Sequence, residues 1–362
     1  MSTFPLSKAI QVLFFFFLVF AGLYFAKPFL VPIAFAGLFS MLFLPLSRKM
    51  EKRGMGRGLA TIICILLLLI IVAGIVALIA WQVSDIASDA TQMEQRVNQM
   101  ITQVKQAITK NLGISPQQQE QMLNSKEGGS GGAGKVVAGF MASIMSFLVD
   151  ALLMLVYIFL FMYFRRHLKT FILKLVPAPE KNNAQKIIHD TQHVAQQYLG
   201  GLGMMIFCLW IMYSIGFSIV GVKNAIFFAI LCGLLEIVPF VGNLTGTGLT
   251  ILMAITQGGQ GSMIIGILIT YGIVQFLQSY LLEPLVVGAE VNINPLFTIL
   301  VIVLGELVWG IPGMVLAIPM LGMVKIICDH VEPLKPYGFL IGEEKKKKKS
   351  PGFIDKIKGW FK

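Results

Sequence analysis

Two glutamates stand inside otherwise apolar stretches, each shortly before a cluster of prolines and glycines. The first reads Glu236-Ile237-Val238-Pro239-Phe240-Val241-Gly242-Asn243, within 225–256. The second reads Glu306-Leu307-Val308-Trp309-Gly310-Ile311-Pro312-Gly313, within 296–328. A carboxylate held in hydrocarbon costs about 2.5–3.5 kcal/mol, so it needs a reason to be there. One reason is chemistry: a buried carboxylate takes up a proton or a cation. The other is architecture: it caps a broken helix end or pairs with a buried cation such as Lys325. Asn243, Thr245 and Thr247 follow the first break and suit either the lining of a polar pathway or close helix packing. A second tier of candidates, Glu283, Pro284, Glu290, Asn294 and Pro295, falls in a polar interval and reads as interfacial.

Other chemistries find little support. Cys64, Cys208, Cys232 and Cys328 lie in or at the end of apolar segments and read as small buried hydrophobes. His189 and His193 are four apart on one helix face, a zinc-compatible spacing that lacks a further ligand. No nucleotide-binding glycine loop, no Ser/His/Asp constellation and no Cys/His cluster is present. The sequence therefore points away from an enzyme, from an ATP-driven device acting alone, and from any cofactor or metal.

The elements that must hold these residues are membrane helices. Hydrophobic residues make up 56% of the chain and charged residues 13%, about half the charged share of an ordinary soluble domain. Runs of about 20 apolar residues match roughly 30 Å of hydrocarbon. The net charge of +11 sits at the ends of these runs and in the tail, as expected for loops retained in the cytoplasm, so nucleic acid is not an expected partner. The fold class is all-α: a polytopic membrane protein with about six full spans, two broken or re-entrant hairpins in its C-terminal half, and both termini cytoplasmic.

Five regions follow. Residues 1–83 hold three membrane helices, the first two joined by Lys27-Pro28, with the basic loop Arg48–Arg53 after the second. Residues 84–135 form an external amphipathic excursion, with Val97, Met100, Ile101, Val104 and Ile108 at helical spacing before a Gly-rich linker. Residues 136–197 supply a fourth span that stops at Arg165-Arg166-His167, then a juxtamembrane stretch broken by Pro177 and Pro179. Residues 198–330 carry the two broken stretches, each preceded by a helix. Their halves of roughly 12–16 residues fall below the usual length of a full crossing. Paired Gly/Pro-interrupted segments of this kind are a pointer to a transport site near the bilayer midplane. Residues 331–362 form a basic tail. There Lys345–Lys349 precede Phe353, Ile354, Ile357, Trp360 and Phe361, suited to anionic lipid.

These motifs resemble the autoinducer-2 exporter family of permeases. The resemblance rests on Glu236–Gly242, on Glu283-Pro284 through Gly288, on Asn294-Pro295-Leu296, and on Gly310–Gly313 followed by Ala317-Ile318-Pro319. Ala34, Pro45 and Arg57–Ala60 in the N-terminal helices extend it over nearly the whole chain. It implies a multi-spanning transporter of the bacterial inner membrane that exports a signal molecule or exchanges sodium or lithium for protons. It also implies a homo-oligomer, with a pentamer as the expected size. Expected partners are thus membrane lipid, a small-molecule or ion substrate, and further copies of the chain. The reading from a different class is a non-transporting membrane scaffold or signalling protein.

Overall fold

A computed structural model describes residues 6–88, 133–238, 241–256, 258–259, 261–287 and 293–343. Most of the expected excursion, Pro239, Glu290 and the lysine-rich tail lie outside these residues. The described chain is helical, with no strand among the described residues. In order come α1 (Leu6–Phe25), α2 (Lys27–Lys52), α3 (Arg57–Ser88), α4 (Ala133–Leu175), α5 (Lys181–Val220), α6 (Ala225–Leu235), α7 (Val241–Thr256), α8 (Gly261–Leu277), α9 (Pro295–Trp309), α10 (Ile311–His330) and α11 (Lys335–Ile341). A π-helical segment, Gln278–Val287, continues α8. Six of the described helical segments are long and apolar enough to cross a membrane.

Both stretches expected to break do so. The first divides into α6 and α7 on either side of residues 236–240. The second divides into α9 and α10 at Gly310, whose φ of +68° is accessible to glycine without steric cost. α6, α7 and α9 are short, as expected. At 20 residues α10 is longer than expected and has the length of a full span. The fourth span also differs from expectation. α4 runs through Arg165-Arg166-His167 to Leu175, giving a helix of 43 residues, about 65 Å long and twice the hydrocarbon thickness. The polar stretch after Pro179 does not end before the fifth span either. It is the first half of α5, one helix of 40 residues.

The chain divides into two compact units. One contains 28–166 and 199–288. In it α2, α3 and α4 pack through Ala36, Cys64, Leu68, Ile158 and Met162. Arg165 closes the end of this cluster, with Nη2 2.6 Å from Glu51 Oε2. A second cluster of the same unit joins α5 to α8, with Leu209, Tyr213, Phe217, Ala229, Cys232, Ala254 and Ile267 at its centre.

The other unit contains 1–27, 167–198 and 289–362. Its centre is the α9–α10 pair. α1 packs on α9, where Trp309 Nε1 donates to Leu23 O at 3.0 Å. α11 folds back against α10, and Asn294 N donates to Ile341 O at 2.8 Å. Nε2 of His330 in α10 lies 3.5 Å from Asp190 Oδ2 of α5, an ion pair when the imidazole is protonated.

Each break is flanked by a glycine contact that a side chain would destroy. A Cβ on Gly313 would run into Gly305 O, and a Cβ on Gly305 into Gly313 O. Likewise a Cβ on Gly242 would strike Leu235 O across the first break. Gly313→Ala is expected to lower stability by about 1–3 kcal/mol, the usual cost of overpacking. Gly248→Ala, with open space around its Cβ, should be neutral or better. Thermal unfolding of the two purified variants in detergent checks this.

Candidate functional site

The first break places its polar residues against α5 and α8, within one compact unit. Glu236 closes α6, its N–H bonded to Cys232 O at 3.1 Å. Its side chain is half-buried and turned toward the end of α8, where Gln278 Nε2 donates to Glu236 Oε1 at 2.7 Å. In the first turn of α7, Asn243 is 4% exposed and central to a second chain of bonds. Tyr213 Oη of α5 donates to Asn243 Oδ1 at 2.9 Å. The Asn243 amide in turn donates to Gln275 Oε1 of α8. Gln275 and Gln278 are three residues apart and so share a helix face. They receive both halves of the broken stretch.

The set is not fully satisfied. Among the described residues Glu236 Oε2, Gln278 Oε1 and Thr247 Oγ1 are buried without a hydrogen-bond partner. Gln278 is 2% exposed and Thr247 4%. A buried polar atom without a partner costs roughly 1–3 kcal/mol, which makes such groups candidates for binding something absent from the protein itself.

The α8 helix changes character at this point. From Gln278 to Val287 it is π-helical, a rare geometry found most often at functional sites. Glu283 and Pro284 fall within that segment, and Glu283 is exposed.

The remaining candidates separate. Thr245 is exposed, on the side of α7 away from Asn243 and Thr247. Glu306 is exposed on α9 and does not share the environment of Glu236. Pro312 occupies the first turn of α10, and Gly313 is spent on the contact with Gly305. Asn294 is the N-cap of α9, its Oδ1 accepting from Leu296 N at 3.0 Å, and Pro295 is the first residue of that helix. Lys325 pairs with Asp329 at 2.6 Å, four residues along its own helix, rather than with a glutamate at either break. The His189 and His193 rings stack 6.3 Å apart. Among the described residues no group of three metal-ligating side chains assembles there or elsewhere. Cys64, Cys232 and Cys328 are buried and Cys208 partly so, all as free thiols.

A family model for AI-2E family transporters matches residues 13–332. The chain belongs to the AI-2E transporter family. Three relatives agree over most of their length. YueF of Bacillus subtilis is 26% identical over 314 residues, covering 81% of this chain and 82% of the relative. YrrI of the same organism is 21% identical over 312 residues, with 84% and 87% covered. YhhT of Escherichia coli K12 is 22% identical over 340 residues, with 92% and 94% covered. Their names assign transport provisionally and specify no substrate. Membership makes the chain a multi-pass membrane transport protein and not an enzyme.

Sequence reading found Glu236, Asn243 and Thr247 but not Tyr213, Gln275 or Gln278. The available signal was the pair of glutamines at i and i+3 in an apolar helix. A primary amide in hydrocarbon demands partners much as a carboxyl group does. Asn243→Ala removes partners from both Tyr213 and Gln275. Its stability loss is expected at about 1–3 kcal/mol, against about 1 kcal/mol for Tyr213→Phe. Thermal denaturation of the purified variants in one detergent compares the two.

Proposed function

We propose that this chain is a secondary transporter of the bacterial inner membrane that moves a small molecule by alternating access around its broken hairpins. A solute related to the autoinducer-2 signal, carried outward, is the leading substrate. The observation that carries this reading is the buried polar chain at the first break. It sets Glu236, Gln278, Asn243 and Thr247 inside an apolar unit and leaves three of their polar atoms without partners. Broken helices of this kind can offer half-helix ends and their dipoles to a substrate or ion. Pro239 belongs to this set by its place in the break, and Gly242 keeps the two halves close enough to form it. Glu306, Pro312 and Gly313 mark the corresponding place in the second broken stretch. Glu283, Pro284, Glu290, Asn294 and Pro295 belong to the segment that joins the two. The working form on this reading is a homo-oligomer, a pentamer by the family resemblance.

One feature favours a second reading, exchange of sodium or lithium for protons. Glu236 offers one carboxylate oxygen to Gln278 and keeps the other free. The Gln278 carbonyl oxygen, also free, adds a second hard donor of the kind that small cations prefer. A carboxylate that binds either a proton or a cation couples the two by competition.

Purified chain in proteoliposomes with a trapped pH-sensitive dye tests the readings. On the antiport reading a sodium or lithium pulse moves protons with the wild type, fails with Glu236→Gln, and survives Glu306→Gln. No cation-driven proton movement with wild-type protein sinks antiport. Uptake of labelled signal molecule into the same vesicles, dependent on Asn243 and Gln278, supports the solute reading. If neither cation nor solute moves, the transport reading of this site falls.

A further inference from the structure

Residues 224–324 contain no lysine, arginine or histidine, yet they carry Glu236, Glu283, Glu290 and Glu306. None of the ion pairs among the described residues involves Glu236 or Glu283. Carboxylates in membrane segments ordinarily pair with a cation or line a wet cavity. Secondary structure brings the second of these acids to the first. In a continuous α-helix residue 283 would lie about 140° around from Gln278, away from the face that carries Gln275 and Gln278. The segment Gln278–Val287 is π-helical instead. Its i→i+5 hydrogen bonding makes residues five apart neighbours, so Glu283 rejoins Gln278 on one face. The Glu283 carboxylate is accordingly within electrostatic reach of Glu236, and both belong to the same compact unit. Glu283 is exposed, Glu236 half-buried and Gln278 2% exposed. From water inward, the three form a series.

Oxygen atoms define what the series can hold. Glu236 Oε1 accepts from Gln278 Nε2 at 2.7 Å, which leaves Glu236 Oε2 buried without a partner. The other end of the same amide, Gln278 Oε1, is buried without a partner as well. Both free oxygens therefore belong to the two groups that one hydrogen bond joins. Oxygen ligands of this kind suit a small hard cation. Two carboxylates repel an anion. Charge sets the valence. One carboxylate is drawn into the apolar unit and the other is solvated, so a single positive charge neutralises the part of the site removed from water.

We propose that Glu283 is the outer carboxylate of a site for a small monovalent cation, sodium or lithium, whose inner ligands are Glu236 Oε2 and Gln278 Oε1. Resting on the reading of the first break as a binding site, this adds the entrance. The exposed carboxylate draws the cation from water. The π-helical turn keeps that carboxylate in register with the amide that holds Glu236.

Thermal unfolding of the purified full-length chain in detergent tests this, with sodium or lithium replacing choline at constant ionic strength. A cation that binds only the folded chain raises the melting temperature as its concentration rises. The wild type is expected to respond to sodium and lithium, and Glu236→Gln to lose the response. Glu283→Gln should need about tenfold more cation for the same rise, the effect of one charge at close range. Glu283→Asp, which keeps the charge, should restore most of the affinity. Glu332→Gln, which removes an exposed acid of the other unit, should leave the response unchanged. An equal cation requirement in the wild type and Glu283→Gln overturns the role of Glu283 and leaves the site at Glu236 standing. No sodium or lithium response in the wild type overturns the cation site itself, separately from whether a solute moves in vesicles. A larger response to calcium than to sodium overturns the monovalent assignment. Failure of Glu283→Asp to restore what Glu283→Gln loses would mean that the side chain acts through packing, and overturns its role as a charge.

Discussion

Everything particular to this molecule follows from breaking a helix where water is scarce. A membrane helix satisfies its own backbone, and a break exposes carbonyl and amide groups that lipid cannot serve. The chain answers by pressing the two halves of each break together. Glycine carries both closures: Gly242 lies against Leu235 O in the first, and Gly305 and Gly313 face each other's carbonyls in the second. Within the first hairpin Gly246 repeats the device, since a Cβ there would lie 3.0 Å from Cys232 Cα. At Gly310 the turn itself needs a positive φ. The polar site at the first break exists because these contacts leave its backbone shielded and bring Glu236 and Asn243 to the same wall of α8.

The two breaks look alike in sequence and differ in surroundings. Each has a glutamate three or four residues before its first proline or glycine. What separates them is the neighbouring helix. α8 presents Gln275 and Gln278 to the first break, and Glu236 is drawn inward by an amide donor. Glu306 sits on the exposed side of α9, while the Trp309 indole next to it turns to α1 for its acceptor. A motif therefore sets the position of a carboxyl group along a chain, and tertiary packing decides whether it is buried.

This explains which features could be read without a structure. The breaks at 236–240 and at Gly310 were legible because proline and glycine act locally, through φ and a missing N–H. The full reach of α4 and α5 was not. Charged residues such as Arg165 and Arg166 end a hydrocarbon span without ending a helix, and hydropathy registers only the first of these events. Gln275 and Gln278 were missed because a search for titratable groups passes over amides. Their importance depends on what stands opposite, and that is long-range information.

The polar chain also poses an energetic problem that bears on its use. A buried network whose members are all bonded can be stable, whereas a partly bonded one is worse than an apolar core. Here the Tyr213–Asn243–Gln275 branch is continuous, while the Glu236–Gln278 branch leaves an oxygen free on each partner. A purely structural role would favour completing the second branch or replacing it with leucine. On the proposed reading its incompleteness has a function. The bonded branch fixes the helices around the site, and the unbonded oxygens supply interactions that a substrate or cation can satisfy in one conformation and lose in another. The π-helical turn that begins at Gln278 is suited to that change, because its looser hydrogen bonding sits at the residue whose amide holds Glu236.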